Sequence, residues 1–201
     1  PGAFEFQVSP VNGAGEPEVF LRSAQPKYPG SWSADGRWLF YFTASPETRG
    51  DLAVVSMTGE RKSTVLLATP YFEVWPRVSP DGRWVAYSSS ESGRGEAYVR
   101  PFVDPGPGGG APRFGSGRWQ VSIAGGIFPT WSRDGRELFF IGPAGEMMVS
   151  TIEVNGATLK PGAPVKLFDT RVLGGGNDNA TGRQYDVASD GRFLINEAPD
   201  V

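Results

Sequence analysis

With no His and no Cys in its 201 residues, this chain leaves carboxylates as the groups best able to do acid–base or metal chemistry. Asp35, Asp81, Asp134 and Asp190 each stand directly before a glycine, at Gly36, Gly82, Gly135 and Gly191, and an arginine follows each pair. Glu73, Glu91, Glu96 and Asp104 fall in loops or at strand ends. Carboxylates about 5 to 10 Å apart can share acid and base roles in glycoside cleavage, and oxygen clusters can hold a divalent cation. Nothing in the spacing selects such a pair, because the four Asp-Gly copies fall in separate repeat units. The missing His also removes a Ser-His-Asp triad, a histidine base and His-based zinc or haem sites. No catalytic, metal-binding or cofactor-binding residue is therefore assigned.

The Asp-Gly copies read instead as turns. In Ser79-Pro80-Asp81-Gly82, Pro80 presets the first central φ, Asp81 bonds local amides, and Gly82 takes a left-handed position. Asp35, Gly36, Asp81, Gly82, Asp134, Gly135, Asp190 and Gly191 are thus expected to be structural turn residues. Arg37, Arg83, Arg136 and Arg192 read as solvated strand-start residues or partners of the turn Asp. Trp32, Trp38, Trp75, Trp84 and Trp131 flank these turns and suit wedges between packed sheets, with one or two free to face a central opening.

What must position these turns is a repeat. The four copies are separated by 46, 53 and 56 residues, close to the roughly 40 to 50 of a four-stranded propeller blade. Twenty-eight Gly and eighteen Pro punctuate short apolar runs, as in an all-β chain. The second unit reads as a strand ending near Val78, then "RWVAYSSS", "EAYVRPF" and "WQVSIA". The expected fold is all-β: a single β-propeller domain of four-stranded antiparallel blades, about four in number. Blades are placed at roughly 31–68, 75–124 and 129–169. A composite of 184–196 with 4–22 would let the N- and C-terminal strands share one blade and close the ring. The alternative is a fragment of a larger propeller.

Charge and composition narrow the partners. A net charge of −3 with interspersed signs leaves no basic stripe for a phosphate backbone, so nucleic acid is not expected. No run of about 18 apolar residues could span a bilayer, and the start at Pro1 without Met reads as a cut or processed boundary. Gly-rich stretches at 104–118 and 173–182 lack the setting of a phosphate loop and read as surface loops open to recognition. Asn179-Ala180-Thr181 matches a glycosylation sequon.

"SWSADGRWLFYF", "VSPDGRWVAYSS" and "TWSRDGRELFFI" resemble the repeats of TolB-type, WD-like bacterial β-propellers. The run from "LLATPYFEVWPRVSPDGRWVAYSSSESGRGEAYVRPF" through "GRWQVSIAGGIFPTWSRDGRELFFI" is similar to the C-terminal propeller of bacterial Ser/Thr protein kinases. The likeness covers residues 18–197. It implies a sensory or interaction domain of a larger signalling protein, on the periplasmic or extracytoplasmic side of a membrane. No kinase motif is present in this stretch, so no kinase activity carries over. The expected function is non-catalytic binding of a protein or peptide, with a small ligand possible, no cofactor, and self-association if the ring is incomplete. The alternative is a propeller enzyme, carbohydrate-active or lactone-hydrolysing, using channel carboxylates or a metal.

Overall fold

The computed structural model describes residues 4–106, 108–172 and 182–197, and among them every regular element is a strand. β1 (Phe4–Val8) and β2 (Glu18–Ser23) form a two-stranded antiparallel sheet. The first full blade follows as β3 (Lys27–Trp32), β4 (Trp38–Ser45), β5 (Arg49–Ser56) and β6 (Ser63–Leu67), in chain order across the sheet. The second comprises β7 (Glu73–Val78), β8 (Trp84–Ser89) and β9 (Glu96–Val103). Its outer edge is split between β10 (Arg113–Phe114) and β11 (Trp119–Gln120). The third runs β12 (Ile127–Trp131), β13 (Glu137–Ile141) and β14 (Glu146–Asn155), with β15 (Thr158–Pro161) and β16 (Val165–Asp169) both on the long β14. β17 (Tyr185–Val187) and β18 (Phe193–Ile195) make a last pair. The all-β, four-stranded antiparallel architecture expected from the repeat is present as a partial propeller.

These sheets stack because both faces of each full blade are apolar. Successive strand residues point to opposite faces, so Leu39 and Tyr41 pack with Phe6, Phe20 and Leu21 of the N-terminal pair. Phe40 and Phe42 point the other way, toward Val85, Phe102, Tyr87 and Tyr98 of the second blade. The reverse side of that blade, Trp84, Ala86, Ala97 and Val99, meets Trp131, Leu138, Phe140 and Ile152 of the third. Ile127, Phe139, Ile141 and Met147 then bury against Tyr185, Val187, Phe193 and Ile195. Double-sided burial is why "WLFYF" and "WVAY" read as unbroken apolar runs.

Three local features differ from the sequence reading. The two end pairs were expected to share one blade. Among the described residues they are separate two-stranded sheets, each held by the blade next to it in the chain, which is the alternative arrangement of a propeller fragment. The stretch 104–118, read as a loop, contains β10, whose Arg113 and Phe114 pair with Val103 and Phe102. The fourth strand expected at 119–124 ends at Gln120; beyond it Val121 buries in the core shared with the third blade, and the buried Ser122 hydroxyl accepts from Ala97 N–H of β9. The second Gly-rich stretch, apart from Gly182, lies outside the described residues, as does the sequon at 179–181.

Each inner strand is bulged. The register of β3, β7 and β12 shifts between Pro29 and Ser31, Val74 and Arg77, and Ile127 and Thr130. Pro suits a bulge because no ladder hydrogen bond is asked of it. Trp75 and Phe128 hold φ of 60° and 57° there, a left-handed conformation rare for bulky side chains. Bonds between blades hold the strands in place. The Ser31 hydroxyl accepts from Val78 N–H at 2.9 Å, and Phe128 N–H donates to Ser88 Oγ at 3.1 Å. The Trp131 indole donates to Arg77 O at 3.0 Å, and Tyr185 OH donates to Phe128 O at 2.6 Å. Gly30 is required by close approach, since a Cβ there would lie 2.5 Å from Pro76 O.

Candidate functional site

The four Asp-Gly turns lie on one face. At Asp81, the Ser79 hydroxyl donates to Oδ1 at 2.5 Å, Arg83 N–H donates to the same oxygen at 3.1 Å, and Arg83 Nε reaches Oδ2 at 2.8 Å. Asp35 repeats this with Ser33 and Arg37, and Asp134 takes Ser132 Oγ and Arg136 N–H. Asp190 keeps only the Arg192 contacts, because Ala188 replaces the serine. Gly36, Gly82, Gly135 and Gly191 all have φ between 71° and 84°. The serine hydroxyl and Arg37 hold the Asp35 carboxyl down at about 2. Burial works against ionisation of Asp81, but Ser79 and Arg83 outweigh it and lower its pKa.

Consecutive turns share grooves, which the sequence reading had placed in separate units. Asp35 and Asp81 line a cavity of about 480 Å³ between the first and second blades. Asp81 and Asp134 line one of about 820 Å³ between the second and third. Near the axis, Pro29, Trp75, Phe128 and Arg183 line about 220 Å³. Trp75 meets Phe42 and Phe128 edge-on there, with centroids 4.8 and 5.3 Å away.

The other carboxylates divide between the faces. Asp104 sits on the Asp-Gly-turn face and binds Arg37 and Gly106 N–H. Burial opposes its ionisation, but the Gly106 N–H and Arg37 outweigh it and hold it below the usual range. Near the opposite ends of β7 to β9, Glu96 is fully buried, accepting from Arg94 Nε at 2.7 Å, the Ser122 hydroxyl and Gly125 N–H. Glu91 pairs with Arg118. Glu73, 2% exposed, accepts from Thr69 at 2.8 Å and Ser89 at 3.1 Å, both at Oε1, and leaves Oε2 without a partner. Burial, reinforced by the nearby Glu91 charge, raises its pKa to about 7. Glu73 and Glu91 are thus brought near each other, a proximity no spacing revealed. No group of three or more metal-ligating side chains occurs among the described residues.

One recurring acid escaped the sequence reading. Asp51, Glu96 and Glu146 each follow a glycine at the start of a blade's third strand, in "RGDLAVV", "RGEAYVR" and "AGEMMVS". Glu146 accepts from Ala144 N–H at 2.8 Å, as Glu96 accepts from Gly125. The signal was a second Gly-acid period, overshadowed by the longer Asp-Gly-Arg motif.

Comparison with known proteins adds fold but no family. No family model matches the sequence, and no curated protein matches it. Solved structures do. A TolB-type protein from Agrobacterium tumefaciens is 22% identical over 85% of this chain and 57% of its own, with a TM-score of 0.59. A puromycin-hydrolyzing peptidase from Mycobacterium tuberculosis is 18% identical over 92% of this chain and 30% of its own, with a TM-score of 0.61. The chain therefore spans just over half of one relative and under a third of the other, and its fold is that of a TolB-like β-propeller, in part.

Proposed function

We propose that this chain is a non-catalytic binding module, engaging a protein or peptide through its blade faces, within a larger bacterial signalling protein such as a Ser/Thr kinase with an extracytoplasmic sensor. The observation that carries the reading is how the carboxylates are used. Asp35, Asp81, Asp104, Asp134, Asp190 and Glu96 are each satisfied by donors of their own blade or its neighbour, leaving none of them poised to attack or protonate a substrate. Propellers are scaffolds whose function lies in surface sites, and cavities of about 820 and 480 Å³ open between blades on the Asp-Gly-turn face.

A second reading, a hydrolase, is favoured by one pair. Glu73, with its raised pKa and free oxygen, is an acid candidate, and Glu91 beside it stays tied to Arg118. The test is to assay the purified chain against lactone, glycoside and peptide chromogenic substrates while titrating it with an immobilised peptide array. The binding reading expects saturable peptide binding and no turnover. Turnover that Glu73→Gln abolishes in a folded variant would replace it with the hydrolase reading.

A further inference from the structure

The grooves between blades are copies of one another, and the differences between them are informative. In the first groove, Arg37 and Trp38 open β4 and face Phe102, Val103 and Asp104 of the next blade. In the second, Arg83 and Trp84 open β8 and face Ile152, Glu153 and Val154. The register is equivalent: Phe102 N–H donates to Arg83 O at 2.7 Å and Ile152 N–H to Arg136 O at 2.7 Å, so Asp104 and Val154 each lie two residues beyond the matching bond. Arg37 spends Nε on Asp35 and Nη2 on Asp104. Arg83 makes the same Nε contact with Asp81, but where Asp104 would answer its Nη groups there is Val154.

Trp84 offers a second donor. Its ring is 3% exposed and packed edge-on against Trp119, and its indole N–H, like that of Trp38 in the first groove, is buried with no acceptor. A buried donor left unpaired is costly, so an acceptor arriving from outside is favoured there. The groove that lacks the internal acid is also the roomier, about 820 Å³ against about 480 Å³.

We propose that the groove between the second and third blades receives an Asp or Glu side chain of a peptide partner, held by the Arg83 guanidinium and the Trp84 indole N–H. It rests on the binding-module reading and names its ligand chemistry. Asp81 and Asp134 are committed to their own turns, but Glu137 and Glu153 also line the groove. The fitting peptide therefore carries basic residues beside its acid, the acid meeting Arg83 and the bases meeting Glu137 and Glu153.

Two peptides test this on the isotope-labelled chain, acetyl-Gly-Lys-Glu-Lys-Gly-amide and its Gln counterpart, with the assigned Trp84 indole resonance as readout. The Glu peptide is expected to shift that resonance and to bind about tenfold more tightly than the Gln peptide, the scale of one charge-assisted hydrogen bond. Val154→Asp, a change on the half-exposed end of β14, supplies the acid internally. It is expected to move the Trp84 resonance without peptide and to erase the preference for Glu. Equal shifts from both peptides, no shift at Trp84, or a preference that survives in Val154→Asp would overturn the proposal. Peptide binding that moves other indoles but not Trp84 would overturn it while leaving the binding-module reading intact.

Discussion

At Glu73, burial and chemistry pull against each other. Its pKa is raised from the ordinary 4.5 to about 7, so the folded state holds a proton that the unfolded state has released. Between about pH 4.5 and 7 the folded chain binds more protons, and stability falls as pH rises through that window. Ionising so buried a group costs up to about 3 kcal/mol. Glu73→Gln, isosteric and always neutral, is expected to remove this loss: urea midpoints of the variant and wild type should converge near pH 4.5 and separate toward pH 8, with the variant the more stable. A wild-type curve that rises from pH 5 to 7 would show Glu73 ionised in the fold. Asp35, held down at about 2, works in the opposite sense below pH 4, weakly because it is solvent-exposed. Both carboxylates are visible in the sequence. Burial, which separates their behaviour, is not, because it comes from residues distant in the chain.

At the scale of the element, the recurring hairpin is a small closed network. In the second blade, Ser79 Oγ accepts from Trp84 N–H at 3.0 Å and donates to Asp81, which in turn accepts from Arg83 N–H, while Gly82 N–H donates to Ser79 O at 2.9 Å. We read Asp81 as a turn-former on this account. Asp81→Ala removes the acceptor of the Ser79 hydroxyl and of Arg83 and is expected to cost about 1–2 kcal/mol of stability, with the folded protein still binding peptide. Chemical denaturation beside a binding titration checks both, and lost binding at unchanged stability would make Asp81 a ligand residue instead. The turn letters Ser, Asp and Gly were readable because their bonds span no more than five residues. The bulges at Trp75 and Phe128 were not, because their positive φ is held by bonds from other blades.

For the whole molecule, the consequence is an arc with two half-blades. β1–β2 and β17–β18 each cover one face of a full blade and present the other outward, where Leu194 of β18 is 76% exposed. Unpaired edges and apolar faces invite pairing with another chain. Light scattering on the isolated 201-residue chain is expected to show mass rising with concentration, and reducing when Leu194 is changed to Lys. A constant monomer mass at all concentrations would mean that these ends are not adhesive.

The sequence by itself determined the class, the strand content and the repeating Asp-Gly turn, since period-two apolar runs and turn chemistry act over a few residues. It also determined what chemistry is missing, because a side chain that is not encoded cannot act. Only the tertiary structure decided which carboxylates meet, that the two ends stand apart, and that one interblade groove keeps an internal acid at Asp104 while its copy presents Val154. Those outcomes depend on which faces stack, and stacking is a cooperative burial of residues as distant in the chain as Phe40 and Phe102, of which the local pattern carries no record.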